Sequence, residues 1–548
     1  MRLYRAVILF AAFTAAHIAL ALRFPLASDE TYYWEWSRSL DWGYYDQGPV
    51  IAWLIRASSA LFGSTEFGIR AGVVVCSMIT LVLVYLIGSR LYGERAGTMA
   101  VVLAGVTPVG MAGGFIATYD VPLALFWTAS LYAIVLATDP VRAAIAGEPP
   151  AARRMASLAL WMGLGAVAGL GMLSKYTMAL FLPCAVLYLG GRPTLRHLLR
   201  HPGPYIALIV AVTVTVPNIV WLAGHDWASF GHLAGLTEKG TGHSVVRRLG
   251  DYVGSQFGIM SPLLFLGMIA AMRDGLRRRT EPADHGSWFA FSFSVPVLIF
   301  FAMLTLKTKV QANWAICGWI CASVGYAGWV WGPRGNQPRR VFAWCGVALA
   351  LFASVMIGWP ELRTVIGLRI PARLDQSRKM HGGRELGRAC AREIEVMKSE
   401  GFAPIIGAAT YDVASRMAFY TPGQPRAVCL FLGTRPNQYR YLNNASGARI
   451  GSNMLIADHR DPADPDRVPF ESVFRRVVPV PEPVVVTVPS IYDVPVVTYR
   501  LYRCYGLTEV RVLGGWPKAK RWEAARATRG AVEKRQEWPR AQIPLARA

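Results

Sequence analysis

The residues able to do chemistry are few and separated by long apolar stretches. Asp29 and Glu30 stand side by side just past the first apolar run, in "SDETYYWEWSRSLDWGYYDQGPVIAW". Asp46 follows two tyrosines before "QGP", Asp120 sits in "ATYDVPLALFW", and Lys175 divides two apolar runs in "GMLSKYTMALFLP". A carboxylate within hydrogen-bond reach of an attacking hydroxyl is a general base. A lysine is a point charge suited to phosphate. Each residue also has a plainer reading. Asp29 fits the first turn of an interfacial helix, Asp46 a turn cap, Asp120 the start of a helix and Lys175 a snorkelling side chain. Together they place three acids, several aromatics and a lysine above an apolar bundle, an arrangement suited to chemistry on a lipid-linked substrate.

That bundle follows from composition. The chain has 548 residues, 53% of them hydrophobic, and apolar runs recur from the N-terminus to about residue 358. With about 20 apolar residues needed per span, eleven spans are predicted: 5–22, 67–89, 97–114, 121–138, 156–173, 176–191, 203–222, 258–272, 287–305, 312–332 and 341–358. The first follows Arg2 and Arg5 and is read as a retained span. The formal charge of +23 would suggest nucleic acid in a soluble protein, but much of the excess lies in short loops between spans. Basic loops stay cytoplasmic. That rule puts the N-terminus inside, and the loops holding Asp29, Asp120, Lys175 and 307–311 outside with the C-terminal region.

Residues 359–515 alternate apolar and polar residues in short runs such as "APIIGAATY", "RAVCLFLG" and "SNMLIADH", after a helical stretch ending at Gly401. This predicts an α/β domain on the outer, periplasmic side. The basic stretch 516–548 reads as a flexible tail. The eight cysteines show no metal-ligand pattern, and the odd number in the C-terminal domain leaves one unpaired in any disulfide scheme. His225, Asp226 and His232 lack specific metal spacing.

Taken together, the motifs resemble those of polyprenyl-phosphate-dependent membrane glycosyltransferases with the GT-C fold. These are the protein O-mannosyltransferase family (glycosyltransferase family 39) and its relative, the lipid A aminoarabinose transferase. Asp29-Glu30 is similar to the family's first acidic motif, "GYYDQGPVIAW" to its "GYYDxPP" turn, "ATYDVPLALFW" to a second acidic motif and "GMLSKYTMALFLP" to a lysine motif. "PNIVWLAGHDWASF" and "QANWAI" are similar to later ones. Many relatives carry histidine or lysine after the "YYD" aspartate and then proline; here Gln47 and Gly48 stand there. The resemblance implies inverting transfer of a sugar from a polyprenyl-phosphate donor to an envelope acceptor, whether lipid A or core, protein or glycan. The site lies on the periplasmic face of the bacterial inner membrane, and no nucleic acid takes part. It implies Asp29 as base, Glu30 as its support and Asp120 as acceptor-placing or base-tuning. Lys175 faces the donor phosphate. Tyr32, Tyr33, Asp46, Gln47, Asn313 and Trp314 join the substrate-binding residues. A divalent metal is left open. The alternative is a transporter or flippase of lipid-linked saccharides, which shares the many spans and intramembrane charges.

Overall fold

A computed structural model describes residues 2–145, 157–231, 244–281, 284–368, 375–432, 434–461, 464, 468–487, 495–509 and 511–514. His232 and the 516–548 stretch lie outside these residues. The chain forms two compact units. One comprises residues 1–24 and 36–370, the other residues 25–35 and 371–548.

The first unit is helical. In order it holds α1 (Arg2–Arg23), the end of α2 (Ser28–Ser37), α3 (Val50–Phe62), α4 (Glu66–Tyr92), α5 (Glu94–Gly105), α6 (Pro108–Gly113), α7 (Asp120–Ile145) and α8 (Leu158–Ser174). There follow α9 (Phe181–Gly190), α10 (Pro202–Gly224), α11 (Val245–Met260), α12 (Pro262–Arg277), α13 (His285–Leu304), α14 (Ile316–Trp331), α15 (Gln337–Gly358) and α16 (Pro360–Val365). α14 is apolar all round and almost every residue in it is buried, which makes it the central helix. Trp127 of α7 meets Phe181 of α9 edge to face at 5.3 Å, and Phe181 meets Phe293 of α13 at 5.1 Å. These rings fill the space between three helices.

Among the described residues, six helices are long and apolar enough to cross a membrane. They are seven if α11 and α12, bent by 104°, form one span. Helix occupies all eleven stretches expected from sequence, but several are short or broken. The 97–114 stretch divides because Thr107 accepts a hydrogen bond from the Gly110 N–H and, with Pro108 behind it, starts a new helix. The 176–191 stretch opens with a 3-10 turn, Tyr176–Leu180. α3, with 13 residues, was not among the expected spans.

Polar contacts gather the loops of this unit at two ends. At one end, Arg334 pairs with Asp284 and Glu281, Arg278 pairs with Glu281, and Arg192 donates to the Asp284 carbonyl. Arg90 pairs with Asp139 between α4 and α7. The loops carrying Arg90, Arg192, Arg278 and Arg334 are short and basic, the kind expected on the cytoplasmic side. The other end carries the conspicuous polar motifs of the unit.

The second unit contains a mixed sheet in the order β2-β1-β3-β6-β4, with β5 paired to β6. β1 (Ile405–Ala408), β2 (Ala427–Cys429) and β3 (Met454–Asp458) are parallel. β6 (Val497–Leu507) runs antiparallel to β3 and to β4 (Phe474–Pro479), and β5 is Val484–Val486. α17 (Gly383–Ser399) presents Leu386, Ala389, Cys390 and Met397 to the core. α18 (Tyr411–Tyr420) connects β1 to β2. All eight cysteines of the chain are free.

The boundary differs from the sequence expectation in one respect. Residues 25–35, which fall within the predicted 1–358 domain, belong to the second unit. Among them Tyr32 and Trp34 pack on Tyr411 and Phe419, and the Thr31 hydroxyl bonds that of Ser415.

Candidate active site

Lys175 stands where α8 ends. Its backbone is extended, with φ −157° and ψ 133°, and the 3-10 turn follows at once. The break turns the side chain inward, and only 3% of the residue is exposed. Its Nζ donates to Asp120 Oδ1 at 2.6 Å. Asp120 opens α7, and its second oxygen accepts from Asn313 Nδ2 at 2.9 Å. Both carboxylate oxygens are thus bound, one to a cation and one to an amide. The Lys175 ammonium also lies 5.0 Å from the Tyr119 ring centroid and 5.8 Å from that of Trp314. A buried ion pair is tolerable when hydrogen bonds and aromatic faces replace lost water.

Asn313 is itself held. It lies in the 3-10 turn Ala312–Ala315 that leads into α14. Gln256 of α11, 1% exposed, donates to the Ala312 carbonyl at 3.2 Å and accepts from Trp319 Nε1 at 2.7 Å. The sequence reading did not single out Gln256. A glutamine spaced by four from buried Tyr252 and Met260 in an amphipathic helix was the available signal.

The "GYYDQGP" turn meets the same region. A Cβ on Gly48 would lie 2.0 Å from the Leu173 carbonyl oxygen, two residues before Lys175. Only glycine permits this approach, which accounts for Gly48 in the place of a proline. Tyr44 braces the turn. Its ring stacks on Trp36 at 4.6 Å, its N–H donates to the Gln47 carbonyl at 3.1 Å, and its hydroxyl accepts from the Asp41 N–H. Asn218 donates to the Trp42 carbonyl at 2.7 Å and Ser229 to the Tyr44 carbonyl at 2.9 Å. Asp46 and Gln47 are buried, and Gln47 Oε1 has no hydrogen-bond partner among the described residues. A buried, unsatisfied amide oxygen is costly and can accept from a bound hydroxyl.

Asp29 and Glu30 lie in the second unit, in the first turn of α2. Asp29 is exposed, whereas Glu30 is fully buried. Glu30 Oε2 accepts from the Ala27 N–H at 2.8 Å, the reach-back of a capping box. This gives Glu30 a structural task in addition to the supporting role expected of it. Tyr32 and Tyr33 are buried at 2% and 6% exposure. Tyr32 packs on Tyr411 at 4.6 Å, and its hydroxyl accepts from the Gln438 N–H. Tyr32 therefore anchors α2 inside its own unit.

His225 stacks on Trp221 at 3.9 Å and its Nδ1 bonds the Trp221 carbonyl. Among the described residues, no group of three histidine, cysteine or acidic side chains is placed to hold a metal ion.

Comparison with known proteins adds to this geometry. Residues 46–221 match the dolichyl-phosphate-mannose-protein mannosyltransferase family. The chain is 29% identical over 298 residues to the lipid A galacturonosyltransferase RgtD of Rhizobium johnstonii, covering 54% of this chain and 59% of that protein. It is 25% identical over 333 residues to the undecaprenyl phosphate-alpha-4-amino-4-deoxy-L-arabinose arabinosyl transferase of Erwinia tasmaniensis, covering 55% and 56%. The match thus spans under two thirds of each relative's length. Among solved structures, ArnT from Cupriavidus metallidurans in the apo state aligns over 90% of this chain and 97% of that one, with a TM-score of 0.58 and 16% identity. The same protein bound to undecaprenyl phosphate aligns with a TM-score of 0.56. At that identity the likeness shows a shared fold, and the sequence matches, each over part of the chain, show similarity to glycosyltransferases.

Proposed function

We propose that this chain, a GT-C relative of the aminoarabinose and lipid A transferases, moves a sugar from a polyprenyl-phosphate donor to an envelope acceptor on the periplasmic face of the bacterial inner membrane. The N-terminus is cytoplasmic and residues 371–514 are periplasmic. The observation that carries this reading is the buried Lys175–Asp120–Asn313 cluster, with aromatic faces around a cation in an otherwise apolar bundle. An ionisable cluster inside a membrane bundle is costly and marks a substrate site.

In the reaction, the acceptor oxygen bonds to the anomeric carbon as the carbon–oxygen bond to the phosphate breaks, which inverts the centre. Asp29, exposed in the first turn of α2, accepts the proton of the attacking hydroxyl. Polyprenyl phosphate leaves with an added negative charge, and Lys175 stabilises it. Asp120 and Asn313 fix the lysine's direction. Gln47 offers its amide oxygen to a substrate hydroxyl, and Asp46 and Trp314 line the same region.

The test is transfer in proteoliposomes given undecaprenyl-phosphate sugars and a lipid A acceptor, alongside mass spectrometry of envelope lipids from cells with and without the gene. Mass added to one envelope component only when the gene is present supports the reading. Translocation of lipid-linked saccharide without transfer would replace it with the transporter reading.

A further inference from the structure

We infer that the C-terminal unit positions the catalytic base, by holding helix α2 along α18 and against the carboxyl edge of its parallel strands. The inference rests on the reading of Asp29 given above. Doubly wound sheets bind their ligands in the crevice outside the carboxyl ends of parallel strands. Here β1 ends at Ala408 and α18 begins at Tyr411, while the segment after β2 reaches Gln438. α2 meets these same segments. Tyr32 packs on Tyr411 and Tyr439, and its hydroxyl accepts from the Gln438 N–H at 2.7 Å. Thr31 shares a hydrogen bond with Ser415 of α18 at 2.9 Å, both hydroxyls being fully buried. The Leu26 N–H donates to the Tyr420 hydroxyl at 2.7 Å, and Trp34 meets Phe419 edge to face at 5.1 Å.

The chain leaves the helical unit at Phe24, joins the C-terminal unit for residues 25–35 and returns at Trp36. An interfacial helix needs no such excursion. This edge and α18 together hold the peptide, and Asp29 lies two residues before its polar anchor Thr31. Asp29 stays exposed while Thr31, Tyr32, Trp34 and Glu35 are buried. Anchoring of this kind fixes a base without covering it, and a displacement of about 1 Å at a reacting group can cost about 10²-fold in rate.

The test uses Tyr32→Phe, Ser415→Ala and their combination in the full chain. A nitroxide attached through Asp29→Cys, with Cys345→Ser removing the exposed thiol, reports position without reference to activity. Its spectrum should be restricted in the parent and sharpen in the combined variant. In the transfer assay, the combined variant should lower kcat about 10- to 100-fold with donor KM unchanged. In an Asp29→Asn background the same changes should cost less than about 2-fold, because they act through the absent base. A label that stays restricted overturns the inference, as does a kcat loss that multiplies fully in the Asp29→Asn background. If Asp29→Asn itself transfers at the parent rate, the base assignment fails, and the positioning claim fails with it even where the label has moved.

Discussion

Lys175 and Asp120 lie 55 residues apart in sequence, and Asn313 lies 193 residues from Asp120. Each was legible alone, as a polar residue in an apolar run or within a motif. Their union was not, because pairing over such separations is decided by how helices pack. The pairing changes what a mutation should do. Lys175→Met leaves the Asp120 carboxylate buried without its cation, which costs about 3–5 kcal/mol. Adding Asp120→Asn removes the uncompensated charge, and the introduced amide oxygen still accepts from Asn313. Thermal unfolding of the intact protein should therefore show the single variant well below the double, with the double near wild type. Transfer should be lost in both. Asp29→Asn should separate differently, lowering kcat by about 10²–10⁴-fold while donor binding survives. Gly48→Ala tests the close approach to Leu173. Its methyl meets backbone oxygen that cannot rotate away, so the turn must shift, at about 1–3 kcal/mol. Transfer should fall, while a glycine-to-alanine change at Gly113, which has nothing within 4 Å, should be silent.

At the scale of elements, the strands and α17 of the C-terminal unit were legible from period and turn residues, since alternation and helical spacing survive in any tertiary context. The home of α2 was not. "SDETYYWEWS" has almost no amphipathic asymmetry, and its aromatics suited a membrane surface as well as a protein crevice. Its partners lie some 400 residues downstream. The same unit supplies a pH prediction. Burial pushes the Cys390 and Cys429 thiols up to about 12, from an ordinary value of 9.0. Above pH 9 the unfolded chain releases protons that the folded unit keeps. Stability from this source is therefore complete below about pH 9 and is lost progressively as pH rises toward 12. Intrinsic fluorescence melts should show the midpoint falling across that window. Cys390→Ala with Cys429→Ala should flatten the fall. In the native state at pH 8 a thiol reagent should spare those two, which are buried.

At the scale of the whole chain, the sidedness argument rests on which loops meet. Loops grouped by their arginines are joined in the helical unit through Arg192, Asp284, Glu281, Arg278 and Arg334. Loops assigned to the opposite side are joined through Lys175, Asp120 and Asn313, and the 41–49 turn lies against Leu173. The helices between successive members of the two groups must run from one end of the unit to the other. This includes α8, α9 and α14, which are too short to pass a length test for spanning. α15 then carries the chain back from the arginine end, and its last residue, Gly358, lies against Leu20 near the end of α1. Under the proposed topology, with basic loops retained in the cytoplasm, residue 360 is expected on the periplasmic side. A phosphatase reporter fused after residue 360 should be active, and one fused after Arg279 inactive. A fluorescent protein that matures only in the cytoplasm should give the reverse. The signals at 279 and 360 must be opposite in each assay, because an odd number of crossings separates them. Like signals at both positions would mean that one of the segments α13, α14 and α15 does not cross. The proposed periplasmic site would then lose its support.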